Sequence, residues 1–224
     1  MSNARSAELP FEDRTQAGRL LGQALLQYAG RHDVIVLALP RGGVPVALEV
    51  VKAIDAPLDL MLVRKLGTPG QEELAMGAIA AGGVRVLNRD VVDSLGISEK
   101  TIDAVARRES QELDRRQRAY RGNRPPPDVA GHCVILIDDG LATGATMRSA
   151  ITALRQQKPN RVVVAVPVAP FDTIQTLRRE ADDVVCLATP EPFRAIGCWY
   201  RDFPQTSDQE VEEMLAQAWQ KTPG

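Results

Sequence analysis

Two adjacent carboxylates, Asp138 and Asp139, separate the apolar run Val134 to Ile137 from a loop of small and hydroxylated residues, in the string VILIDDGLATGAT. That loop, Thr143-Gly144-Ala145-Thr146, runs into the helical pattern TMRSAITALRQQ. Backbone N–H groups at a helix N-terminus point outward and attract anions, phosphate above all. Gly144 lets the backbone approach a ligand closely, and Thr143 and Thr146 add hydroxyl donors. Carboxylates only accept, and two neighbouring ribose hydroxyls can only satisfy such acceptors by donating. An acidic pair beside a phosphate cradle therefore fits a ribose 5-phosphate. A helix cap plus a turn acid would explain one Asp, but not the whole string. No Gly-Lys-Ser/Thr of a Walker A loop occurs, nor a Gly-x-Gly-x-x-Gly fingerprint after a strand. Both acids are expected to face solvent in the empty site.

Two further loops have related chemistry. In LPRGGVPVA, Arg41 supplies charge and Gly42-Gly43 supply N–H groups in a tight turn. This is either a second anion cradle or a plain strand-to-helix turn. In LVRKLG, Arg64 and Lys65 follow the apolar run that begins at Leu58. At the carboxyl end of a strand they would neutralise a second phosphate, and otherwise they are solvated surface.

The elements that must carry these loops are legible from periodicity. Short apolar runs at 34–39, 58–65, 133–137, 161–168 and 183–188 alternate with helical patterns at 13–30, 44–54, 146–157 and 171–180, with Asp13 as a cap for the first helix. Strands that are apolar throughout and alternate with helices imply an α/β fold, a parallel sheet flanked by helices. In such sheets ligands bind beyond the carboxyl ends of the strands, which is where all three loops would fall. ELAMGAIAAGGVRVLN reads as two strands around Gly82-Gly83. Residues 98–121 form a charged helix, three prolines interrupt at 125–127, and an amphipathic helix spans about 207–220.

The 224 residues, at 44% hydrophobic and 25% charged, suit one domain, 1–224. A net charge of −2 gives no global attraction to nucleic acid or anionic membrane. No apolar run approaches the roughly 20 residues of a membrane span. MSNARSAELPFEDR lacks the apolar stretch of a secretory signal. Cys133, Cys186 and Cys198 lack metal-ligand spacing, and the first two sit in apolar runs as buried thiols. A cytoplasmic location is expected. His32 and His132 each precede a strand and are assigned no role.

With these residues in view, the chain resembles the type I phosphoribosyltransferases. VILIDDGLATGAT matches that family's phosphoribosyl pyrophosphate (PRPP) motif over its full length, nearest the adenine phosphoribosyltransferase form. The resemblance implies a Rossmann-like core with a small hood, at 88–130 plus 190–224, and magnesium-dependent transfer of a phosphoribosyl group from PRPP to a base-like acceptor. It implies that Asp138 and Asp139 hold the ribose hydroxyls. Ala142, Thr143, Gly144, Ala145 and Thr146 would surround the 5-phosphate. PRGG resembles the pyrophosphate loop, where a non-proline cis peptide often occurs, so Arg41, Gly42 and Gly43 would meet pyrophosphate with Arg64 and Lys65. Lys65, Arg41, Asp138 and Asp139 are the expected catalytic set. Mg2+ would sit on substrate oxygens, with no direct protein ligand beyond Asp138 and Asp139 through substrate or water. In hypoxanthine-guanine enzymes an Asp lies three residues after the acidic pair; Ala142 stands there, which argues against a 6-oxopurine that needs that acid.

GTPGQEELAMGAIAAGG is the candidate lid, or else a static hairpin. In EPFRAIGCWYRDF, Phe193 and Trp199 are candidates to stack on a flat base, while Trp199 and Tyr200 are equally candidates to pack the tail onto the core; Asp202 is either a metal or acceptor contact or a turn acid. The expected partners are PRPP and a small-molecule acceptor, with no membrane; a homodimer is a further option. The alternative is a PRPP-sensing regulator that binds RNA or DNA. It would use ARRESQELDRRQRAYRGNR, with seven arginines against three acids. The i,i+4 spacing of Arg108–Glu112 and Glu112–Arg116 favours a solvated helix there instead. A phosphoryl-enzyme on either Asp is a third class, but it leaves the second anion loop unexplained.

Overall fold

A computed structural model describes residues 8–81 and 83–220. The first seven residues of the stretch read for a signal, Gly82 of the hairpin turn and the last four residues of the tail lie outside them.

Five strands form one wholly parallel sheet: β1 (Val34–Ala38), β2 (Leu58–Leu60), β6 (Cys133–Ile137), β7 (Arg161–Val168) and β8 (Asp183–Ala188), in the order β2-β1-β6-β7-β8. The strands read as unbroken apolar runs because both faces are covered. Val34, Val36, Ala38, Cys133, Ile135, Ile137, Val163 and Ala165 pack on one side with α2 (Gly43–Ile54). Ile35, Leu37, Val134, Leu136, Val162, Val164 and Val166 pack on the other with α5 (Ala145–Arg155) and α6 (Phe171–Leu177). Sequence analysis placed these helices in order, but α1 (Arg14–Ala24) ends six residues short of the pattern read over 13–30, which closes in a 3-10 turn at Leu26–Tyr28; its start is as read, with the carboxylate of Asp13 accepting from the N–H of Gln16.

The run 58–65 is the exception. It holds two strands, not one. β2 stops at Leu60, and β3 (Val63–Thr68) joins β4 (Gln71–Ala80) and β5 (Val84–Leu87) in a separate antiparallel sheet ordered β3-β4-β5. Arg64 and Lys65 are therefore inside the small sheet, opposite Ile79 and Ala78, and not at the carboxyl end of a parallel strand. A short helix not read from sequence, α3 (Arg89–Ser94), follows. α4 (Glu99–Arg121) then leads back to the main sheet.

Arg121 closes that return. Its guanidinium donates to the carbonyl of Leu60 at 2.6 Å and pairs with Asp59 at 2.8 Å, both side chains fully covered. The last helix, α7 (Asp208–Gln220), lies against α2 and α4; Trp219 donates to the carbonyl of Leu58 at 2.9 Å, and the Tyr120 hydroxyl donates to Asp208 at 2.6 Å. Cys133 is buried, Cys186 half-buried and Cys198 exposed, so the buried-thiol reading holds fully only for Cys133. No helix among the described residues is long and apolar enough to cross a membrane.

Candidate active site

β1 and β6 are neighbours in parallel register, Val34 to Ala38 against Cys133 to Ile137. Their exits therefore lie side by side, although they are far apart in sequence. From β6 come Asp138, Asp139 and the 143–146 loop; from β1 comes Pro40-Arg41-Gly42-Gly43. The Pro40–Arg41 peptide is cis, as the resemblance implies. The two exits are in contact. A Cβ built on Gly43 would stand 2.7 Å from the carbonyl of Ile137, and one built on Gly42 would reach 2.0 Å from Asp139 Oδ2. Glycine is the residue that lets these two turns close on each other.

The loop after the acids is built as a helix N-terminus. Gly144 has φ +72° and caps α5, leaving the first-turn N–H groups of the helix directed at the edge. Thr143 and Thr146 are exposed beside it. The loop is fixed from behind by Thr173, whose hydroxyl donates to the carbonyl of Ala142 at 2.8 Å.

The acids do not both face solvent, contrary to expectation. Asp138 is half-buried and Asp139 is 8% exposed. Burial pushes Asp138 well above the usual carboxylate range, and the neighbouring charge of Asp139 pushes the same way. Asp139 is also raised by burial, but a cation opposes the shift: Arg14 Nε donates to Oδ2 at 2.8 Å. The Asp139 main-chain N–H donates to Asp138 Oδ1 at 2.9 Å, and the buried Tyr200 hydroxyl donates to the Asp139 carbonyl at 2.6 Å.

The basic residues arrive from several elements. Arg41 lies 3.7 Å from Asp208, at the start of α7. Arg64 reaches the same edge from β3: a cavity of about 20 Å³ is bounded by Pro40, Arg64, Arg116 and Thr146 among others. Arg64 is also tied to α4, donating to Glu109 at 2.6 Å. Lys65, next along β3, is half-buried. Phe193 is partly buried and pairs with Trp199 at 6.1 Å between ring centroids, within a cluster around Phe11, Val168 and Tyr200. Asp202 is exposed, and its main-chain N–H donates to the carbonyl of Glu12.

Arg14 was missed from sequence, and Tyr200, expected only as a residue packing the tail onto the core, does pack there but also bonds to Asp139. Each meets Asp139 across more than 60 residues of chain, and no local spacing signals such a contact. The basic helix α4 was read for its charge. Its Glu112 pairs with Arg115 and Arg116, while Arg108 turns to Glu109 rather than Glu112. Arg121 is buried, and Arg124 lies over the Trp219 ring at 4.5 Å.

Comparison with known proteins places the chain in a family. The family model described as "Phosphoribosyl transferase domain" matches residues 14–197. A Mycobacterium tuberculosis protein named "Putative phosphoribosyl transferase Rv0571c" is 50% identical over 208 residues, 93% of this chain. The chain spans about half the length, 47%, of that relative. The crystal structure of TT1426 from Thermus thermophilus superposes with a TM-score of 0.86 at 41% identity, covering 93% of this chain and 99% of that one. A match over most of the chain, carried by a relative of this identity, makes the protein a member of the phosphoribosyl transferase domain family.

Proposed function

We propose that the chain transfers the 5-phosphoribosyl group of PRPP to a nitrogenous, base-like acceptor and releases pyrophosphate. The observation that carries this is the joined exit of β1 and β6. It sets an acid pair, a helix N-terminus and a Gly-Gly turn side by side on one edge of the sheet. The 5-phosphate would take the 143–146 N–H groups and hydroxyls, and Asp138 and Asp139 would accept from the ribose hydroxyls. Pyrophosphate would lie against Arg41, Gly42, Gly43, Arg64 and Lys65.

Loss of pyrophosphate builds positive charge at the anomeric carbon. Fixed carboxylates nearby stabilise that charge, and the cations stabilise the departing anion, with no reorganisation at the moment of reaction. Two carboxylates at the cradle, one already matched to Arg14, suit a cation shared with substrate oxygens better than one enclosed by protein. When bound, Mg2+ supplies charge neutralisation on those oxygens.

The acceptor would lie between the edge and a hood. We place the hood at 88–130 and 190–220, joined by the small sheet, and keep the segment GTPGQEELAMGAIAAGG, which contains β4, as the candidate lid. The intramolecular pairing of the α4 arginines supports turnover over a regulator that offers this helix to nucleic acid.

Calorimetric titration of PRPP with and without Mg2+, followed by pyrophosphate release with a panel of bases, tests the reading. Mg2+-dependent binding and release with one base is the expected result. Binding without turnover on any base would point to the sensor, and no binding would remove the PRPP assignment.

A further inference from the structure

Asp139 is held from three sides by groups outside the 134–146 string. Arg14 Nε takes Oδ2 at 2.8 Å, and only 11% of either side chain is exposed. Tyr200 fixes the main-chain carbonyl of the same residue. Gly42 seals the carboxylate from the β1 exit. Arg14 is itself fixed: its guanidinium carbon lies 3.7 Å from the centre of the Phe203 ring, and Nη1 donates to the carbonyl of Pro204 at 2.7 Å. Phe203 stacks in turn on Tyr200 at 4.8 Å. The first residue of α1 and the segment 200–204 thus form one clamp on one carboxylate.

A guanidinium held by a ring face and a carbonyl has little rotamer freedom left to lose, so the fork presents its Nε–H in one direction. A carboxylate that gives one oxygen to such a donor is fixed in orientation and keeps its other oxygen for a ligand. We propose that Arg14 is a positioning residue for PRPP. It orients Asp139 for a ribose hydroxyl, and residues 200–204 hold Arg14 for that task. The proposal rests on the reading of Asp139 as a ribose contact. A ribose hydroxyl bond persists from ground state to transition state, so the larger part of its loss falls on binding, while the share of anomeric-charge stabilisation that Asp139 gives falls on kcat.

The test is a double-mutant cycle on the whole chain, with PRPP affinity by calorimetry, steady-state KM and kcat, and thermal midpoint. Arg14→Met should raise the PRPP Kd and KM about tenfold or more, since a hydrogen bond to a charged group is involved, with a much smaller change in kcat. In an Asp139→Asn background the same substitution should add little, because Arg14 acts through that carboxylate. Arg14→Lys keeps the charge without the fork, and should recover only part of the affinity. If Arg14→Met destabilises the fold, Arg14→Lys and the cycle in the folded Asp139→Asn protein still decide the matter. Wild-type affinity in Arg14→Met would overturn the proposal alone, as would an undiminished Arg14→Met effect in the Asp139→Asn background. Failure of the unaltered protein to bind PRPP would overturn the functional reading beneath it.

Discussion

Gly42 and Asp139 approach so closely that a side chain on the first would overlap the carboxylate of the second: an ideal Cβ falls 2.0 Å from Oδ2 and 3.1 Å from Oδ1. The backbone at Gly42 has φ −62°, which any residue adopts, so space and not conformation selects glycine there. Gly42→Ala is expected to push Asp139 off Arg14, weaken PRPP binding at least tenfold, and cost about 1–3 kcal/mol of stability through overpacking. Calorimetry together with urea denaturation checks both effects. Wild-type values in both would mean that the two exits separate more freely than their packing indicates.

Asp138 leads to a pH prediction. Its pKa in the fold lies well above the ordinary 3.8, chiefly from burial and then from the charge of Asp139. As pH rises above 3.8 the unfolded chain gives up this proton first, so stability falls until the folded pKa is passed. Asp138→Asn removes that fall while retaining an oxygen for the N–H of Asp139. The variant should melt higher than the parent near neutral pH, with the gap closing as pH falls toward the ordinary carboxylate range, and should bind PRPP poorly. Melting curves across that pH range test it; a gap that stays constant with pH would contradict it.

If Lys65 meets the leaving group of the proposed reaction, Lys65→Ala should lower kcat about 10²-fold while leaving PRPP affinity far less affected, because the charge on a departing pyrophosphate develops in the transition state. Comparing kcat with the calorimetric Kd separates the two. Equal loss in both would make Lys65 a ground-state contact.

Arg121→Ala would leave Asp59 buried without its cation. The expected cost is about 3–5 kcal/mol. Replacing both partners with apolar residues, Arg121→Met with Asp59→Leu, should recover most of it. Chemical denaturation measures each variant. A small loss in Arg121→Ala would mean that water reaches Asp59.

These residues also show what a sequence reveals. The alternation of apolar runs with helical periods marked β1, β6 and β7 cleanly, because burial on both faces leaves an unbroken apolar signature. That an acid pair stands beside a loop opening a helix was legible because these parts are contiguous, from Asp138 to Thr146. The switch at Met61-Leu62 was not. Both residues are buried, so the run stays apolar while the chain passes from one sheet to the other. Solvent was expected around both acids because a strand-end Asp usually meets water. The cation that covers Asp139 comes from 125 residues away. Phe193 reads in sequence as a stacking platform for the acceptor, and its neighbours Trp199 and Phe11 are visible only once the tail is folded.

The three cysteines differ in a way that offers an optical handle. Cys133 is sealed in β6, and burial lifts the Cys186 thiol to about 11, whereas Cys198 is exposed. A thiol-reactive dye should therefore attach at Cys198 first. That residue lies two positions before Tyr200, which is bonded to Asp139. Fluorescence from such a label would report whether the segment that holds Asp139 responds when PRPP is added.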